Sequence, residues 1–193
     1  MFEFINSRVA ELNPSYAVMD TGSVGYFIHI SLNTYSALKE GHEHILYIHQ
    51  VIREDAHVLF GFAEKSEREL FRMLITVSGI GANTARMMLS SLSVNDLKNA
   101  ILTGNVSVLQ SIKGIGAKTA QRVIIDLKDK IGKAGADADF FAPEGNTKRE
   151  EALSALVMLG FNKASVEKIL DKILRENAGI TVEQIIKLSL KQL

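Results

Sequence analysis

The sequence writes one phrase twice, Gly-Ile-Gly-Ala-x-Thr-Ala, first within "SGIGANTARMML" (78–89) and again within "KGIGAKTAQRVI" (113–124). In each copy a helical pattern runs up to the first glycine and another begins inside the motif. Gly79 and Gly114 can take the positive φ that closes a helix, while Gly81 and Gly116 keep side chains away from the start of the next one. Ile80 and Ile115 point back between the helices as a staple. Each copy is therefore expected to be a tight helical hairpin whose second helix opens with free backbone N–H groups and the positive end of its dipole, an anion site. Lined mostly by backbone, such a site holds a phosphate without reading a base. Thr84 and Thr119 add hydroxyls at the first turn, Asn83 an amide, and Lys118 and Arg122 charge.

A single motif of this kind is compatible with a plain helix–glycine–helix turn, but two unrelated turns have no reason to share Thr and Ala at the same offsets. Dinucleotide binding fits poorly, because that fingerprint needs a preceding strand and a third glycine. Two phosphate grips in one small helical unit suit the backbone of a duplex. Each helix terminus contributes only about 0.3–1 kcal/mol, so several copies must act together, as an oligomer would allow.

Charge distribution agrees with a local grip. The chain is neutral overall, yet residues 64–131 hold ten Lys and Arg against six Asp and Glu, and residues 1–63 hold three against seven. A basic centre beside an acidic neighbour attracts phosphate and restricts where it lands. The absence of cysteine excludes disulfide frameworks, thiolate zinc sites and Fe–S clusters. No apolar run approaches the roughly 20 residues of a membrane span, and "MFEFINSRVAEL" lacks the features of a signal peptide, so a cytoplasmic protein is expected.

Four segments are legible. Residues 1–63 read as β-rich, with strands at 24–30, 44–52 and 57–62 and glycines near their ends, which suggests a small OB-like barrel. Residues 64–131 read as all-helical, opening on a capping box between Ser66 and Glu69, with helices expected at 82–91, 94–102 capped by Ser93, 106–112 and 117–131. The stretch 132–146, rich in Gly, Ala and Asp with Pro143, reads as a flexible linker in which Phe140-Phe141 is a docking or anchoring pair. Residues 147–193 read as a three-helix bundle, opening on a second capping box from Thr147 to Glu150. The fold class expected is thus α+β and multidomain.

The twin motifs resemble the helix-hairpin-helix, and their tandem arrangement after a β-barrel resembles the RuvA family, the Holliday-junction-binding subunits of bacterial branch-migration machines. "VIREDAHVLFGF" (51–62), "LKDKI" (127–131) and "ALVMLGF" (155–161) extend the likeness over nearly the whole chain. The resemblance implies an OB barrel, a tandem helix-hairpin-helix DNA-binding domain, a linker and a mobile C-terminal domain that binds RuvB, the hexameric ATPase of recombination and repair. It implies a homotetramer or octamer on four-way junction DNA, RuvC resolvase as a further partner, and no catalytic residue, metal or cofactor in this subunit. Glu54 and Asp55, by themselves a solvated turn, become by analogy an acidic pin that repels phosphates at the crossover, with Arg53 beside them. "LGF" (159–161) is similar to the loop of ubiquitin-associated bundles. That makes Leu156, Leu159 and Phe161 candidates for the motor contact, each of which can equally be core; Leu156 is expected to be core, and for Phe161 both readings stand.

The chain departs from the family pattern where Ala82 and Asn83 replace a usual Pro and Lys, where Ala117 precedes Lys118 in place of two Lys, and where Asn6-Ser7 replace a glycine. With about 0.9 of a log unit in salt slope per phosphate contact, binding is expected to be weaker and less salt-steep than in a lysine-rich relative. Two other readings fit parts of the sequence. One is a base-excision lyase with Lys118 as nucleophile and Asp137 assisting; the other is a scaffold with degenerate hairpins. The pair His42 and His44 lacks a third ligand for a metal.

Overall fold

The computed structural model describes residues 2–138, 147–177 and 179–193. Two compact units emerge, Met1–Ala136 and Asp137–Leu193.

The first unit begins with strands β1 (Phe4–Asn13), β2 (Tyr16–Asp20) and β3 (Gly25–Ile30), continues through a short helix α1 (Leu32–Ala37), and returns as β4 (Glu43–Ile52) and β5 (His57–Phe62). They close a barrel in the order β1-β2-β3-β5-β4, antiparallel at every seam except the parallel pair β3–β5. Alternation sets the inside: Ile5, Val9, Ala17, Met19, Ile28, Ile30, Leu46 and Ile48 are buried there. At Gly61 a Cβ would stand 2.6 Å from the Ile28 methyl and 3.2 Å from Leu46, so only glycine lets β5 cross the packed interior.

Helices α2 (Lys65–Leu74), α3 (Ala82–Ser91), α4 (Val94–Leu102), α5 (Val106–Gln110) and α6 (Ala117–Ala138) follow. Their apolar faces gather Leu70, Phe71, Leu74, Met88, Leu89, Leu97, Ile101 and Leu109 into one core that also takes Phe60 and Phe62 from β5. The rings of Phe60 and Phe62 lie 5.2 and 4.9 Å from that of Phe71. Barrel and helices thus share a seam of aromatic packing. At the same seam buried Arg68 pairs with Glu3 at 2.6 Å, donates to the Glu3 carbonyl at 2.9 Å and lies over the Tyr47 ring.

Two expectations change. The α2 cap is Glu64, not Ser66: Ser66 lies inside the helix and donates to the Glu64 carboxylate at 3.0 Å, while Glu69 pairs with Arg72. Helix α6 runs to Ala138, past residue 131 and into the stretch read as a linker. A helix already nucleated extends cheaply through Ala, Lys and Asp, and two glycines do not offset that. Phe140, Phe141 and Pro143 lie outside the described residues, as do the side chains of Thr147 and Glu150. Ser93 caps α4 as read, accepting from the Asp96 N–H at 3.1 Å.

The second unit holds α7 (Thr147–Met158), α8 (Lys163–Glu176) and α9 (Val182–Leu190). Ala152, Leu156, Val166, Leu170 and Ile185 form its core, with Phe161 half-buried at the edge. Asn162 caps α8, and Thr181 with Gln184 forms a capping box on α9. No helix among the described residues is long and apolar enough to cross a membrane.

Candidate nucleic-acid interface

In the first hairpin α2 ends at Leu74, Val77 and Ile80 turn inward to the core, and Gly79 between them takes φ +93°. The second hairpin repeats this with Ile112 and Ile115 buried and Gly114 at φ +89°. The hydrogen bonds match as well. Ile80 N–H donates to Val77 O and Ile115 N–H to Ile112 O, both at 3.0 Å; Ala85 N–H donates to Gly81 O and Ala120 N–H to Gly116 O, both at 2.9 Å. The isoleucine staple is therefore a shared structural device of both copies.

Beyond each turn the next helix starts without a plug. Gly81 is the cap residue of α3 in extended conformation, with no side-chain hydrogen bond to the first-turn N–H groups. A Cβ at Gly79, Gly81, Gly114 or Gly116 would meet nothing within 4 Å. The starts of α3 and α6 are thus open beside their glycines, and an open helix start is the geometry an anion needs. Thr84 and Thr119 sit half-buried at the rim, and Asn83, Lys118 and Arg122 are exposed.

The two grips differ in charge. Around the second stand Lys113, Lys118 and Arg122, all exposed and without an ion pair among the described residues; the equivalent positions of the first are Ser78, Asn83 and Met87. Arg86, the one cation on α3, is turned away: its Nη1 donates to Ser15 O at 2.7 Å and Ile30 O at 3.3 Å on the barrel. Lys113 joins Lys118 and Arg122, and its place directly before the second Gly-Ile-Gly is the sequence signal for it.

Glu54 and Asp55 occupy the tip of the β4–β5 hairpin, exposed, in a turn closed by Arg53 N–H donating to Ala56 O at 2.8 Å. No ion pair neutralises either carboxylate among the described residues. The stem beneath them is held, because Val51 and Val58 pack against the helical core. The same unit therefore carries two open helix starts behind positive-φ glycines and one exposed acidic turn.

The chain matches the family model described as RuvA N terminal domain over residues 1–61, and that described as SAM-like helix-hairpin-helix tandem over 71–129. A third, described as RuvA, C-terminal domain, covers 147–193. Proteins named Holliday junction branch migration complex subunit RuvA match along their whole length and that of this chain: 50% identical over 193 residues in Christiangramia forsetii, 52% over 201 in Bacteroides fragilis. The protein of the same name from Flavobacterium psychrophilum is 49% identical over 193 residues, again with both chains fully covered. The chain belongs to the RuvA family. The RuvA N-terminal match takes in the barrel and its acidic turn, and the tandem match brackets both glycine notches.

The RuvA C-terminal match covers α7 to α9 of the second unit. Leu156 is fully buried in the bundle core, as its core reading expects, and has no surface to offer a partner. Leu159 is 63% exposed and its neighbour Met158 86%, with Gly160 at φ +96° turning the chain behind them. Phe161 packs its ring partly against the core. His42 and His44 are taken up in the β4 approach, His42 Nδ1 lying 3.1 Å from Glu40 O and His44 Nε2 accepting from Lys39 N–H at 3.1 Å.

Proposed function

We infer that this RuvA-family chain binds Holliday junctions as the non-catalytic, DNA-binding subunit of a branch-migration complex. The observation that carries the reading is the repeated notch, two helix N-termini open to solvent behind positive-φ glycines. Backbone donors recognise phosphate, so binding is independent of sequence. Gly79, Gly81, Asn83 and Thr84 serve one grip; Gly114, Gly116, Lys118, Thr119 and Arg122 serve the other.

Four chains around a junction would present every arm with both grips, which supports a homotetramer, and two such rings face to face would make an octamer. At the centre of a tetramer the Glu54 and Asp55 turns would bring eight carboxylates against the crossover, parting strands and disfavouring plain duplex. The exposed Leu159 edge of the second unit, with Phe161 behind it, supports docking to the RuvB ATPase, and the open face of the junction leaves room for RuvC. A cytoplasmic location fits these partners. The lyase reading has little support, because Lys118 is an exposed surface lysine and Asp137 belongs to the last turn of α6.

The test is the Glu54→Ala, Asp55→Ala double variant. Its duplex affinity should rise while its junction affinity holds, lowering the junction-to-duplex ratio; an unchanged ratio would remove the pin role.

A further inference from the structure

Four consecutive residues at the start of α1 reach both helices of the first hairpin. The Ser31 and Thr34 hydroxyls donate to the Glu67 carboxylate on α2, Thr34 at 2.7 Å, and Thr34 Oγ1 accepts from Ala63 N–H at 3.1 Å. Leu32 N–H donates to Ser90 Oγ on α3 at 3.1 Å. The Asn33 amide donates to Leu89 O at 2.7 Å and Leu92 O at 3.0 Å, satisfying carbonyls at the end of α3. Arg86 ties the same helix to the barrel through Ser15 and Ile30. Among the described residues no hydrogen bond or ion pair joins α5 or α6 to the barrel, so the second hairpin has no such joint.

The joint is costly in a way that plain packing is not. Glu67 is only 3% exposed, and its hydrogen-bond partners are neutral hydroxyls. A buried carboxylate without a cation is a poor source of stability but a good fixer of geometry, because its oxygens accept only where donors stand. What it fixes is the first notch against the barrel, and the barrel carries the acidic turn on its β4–β5 stem.

We propose that the Ser31–Thr34 segment, with Glu67 and Arg86, is a positioning joint that holds the first phosphate notch at a set distance from the acidic turn. This spacing lets the unit discriminate a junction from a duplex. Asn33 touches no DNA in this account and acts through α3. The inference rests on the junction-binding reading above, but it adds a determinant outside both the grips and the pin.

Asn33→Ala and the isosteric Asn33→Asp, which lacks the donors, should lower the junction-to-duplex affinity ratio about tenfold, toward the low end of coupling between separate sites. Duplex affinity and its salt slope should stay within about twofold, since the grips keep their contacts. Asn33→Gln, which retains two donors, should recover part of the ratio. Ser90→Ala, a milder lesion on the same joint, serves if Asn33 variants do not fold. Because the chain has no cysteine, spin labels at Asp55→Cys and Ser91→Cys, diluted with unlabelled chain, report the spacing without DNA; their distance distribution should broaden in Asn33→Asp. An unchanged ratio and distribution in Asn33→Asp, beside a selective wild type, would overturn the joint alone. A wild type without junction preference would overturn the functional reading, and the joint with it.

Discussion

Asn83 and Lys118 occupy the same position in the two hairpins, the second residue of the helix that follows each glycine turn, both exposed, one neutral and one charged. On the proposed reading, the unit would grip phosphate once with backbone and amide alone and once with backbone and cations. Lys118→Ala should weaken junction and duplex alike and reduce the salt slope by about 0.9, and Asn83→Lys should raise both affinity and slope by a similar step. Anisotropy titrations between about 50 and 200 mM salt measure this.

The caps separate stability from binding. Gly81→Ser and Gly116→Ser place a hydroxyl where the open N–H groups lie, and serine caps a helix as well as glycine or better by a few tenths of a kcal/mol. Thermal stability should hold or rise while DNA affinity falls, because the serine oxygen takes donors that a phosphate would use. At Gly79 and Gly114 any side chain meets the positive φ, so alanine there should cost about 1–2 kcal/mol in folding.

The acidic turn gives the opposite sign. With Glu54 and Asp55 exposed and without an ion pair among the described residues, the double alanine variant should remove repulsion and no such contact. Its duplex binding should strengthen, most visibly at low salt where screening is weakest.

Stability should respond to pH from both sides. His29 is held below the ordinary histidine range by burial and then by Arg86, and His49 by burial and then by Arg72 and Arg68, with Glu69 opposing. The unfolded chain takes up protons first, so this stability is present above the unfolded histidine pKa of about 6.5 and declines as pH falls toward the lowered folded values. Glu67 works in reverse: burial raises its pKa against the Ser31 and Thr34 hydroxyls, with Glu64 adding to the rise. Its contribution is present below the unfolded carboxylate value and lost as pH rises through the raised one. In melts between about pH 4 and 8, His49→Gln should flatten the acid limb and Glu67→Gln the loss on the rising side.

In the second unit, Leu156→Ala should cost about 2–5 kcal/mol, as a cavity in a small core does. Leu159→Ala should leave stability within about 0.5 kcal/mol. If the exposed edge is the motor-docking surface, Leu159→Ala should still reduce stimulation of the ATPase, and urea melts beside that assay separate the two residues.

The hairpins were legible in the sequence because everything they need is local: glycine at the positive-φ position, isoleucine as staple, a helix on each side. The acidic turn was legible for the same reason. Strands β1 and β2 were not picked out individually. The alternation of Ile5, Ser7 and Val9 is interrupted by a bulge between Val9 and Glu11, and one inward position is a serine. The joint at Ser31–Thr34 left only a weak local trace, an N-cap serine, because its bonds to Glu67 and to α3 link residues 33 to 59 positions apart. Serine with glutamate three residues on is the usual cap signature, which points to Ser66; Glu64 starts the helix earlier, and Ser66 bonds back to it. Leu156 lies on the apolar stripe of its helix, so a core role is the expectation there, and its full burial agrees.

The central claim is structure-selective recognition, and a competition gel shift tests it most directly: labelled four-way junction against excess unlabelled duplex of the same sequence, at moderate salt with Mg²⁺. The account predicts that the junction complex is retained. Equal loss of the complex to duplex would contradict it, leaving the paired glycine notches as general phosphate grips.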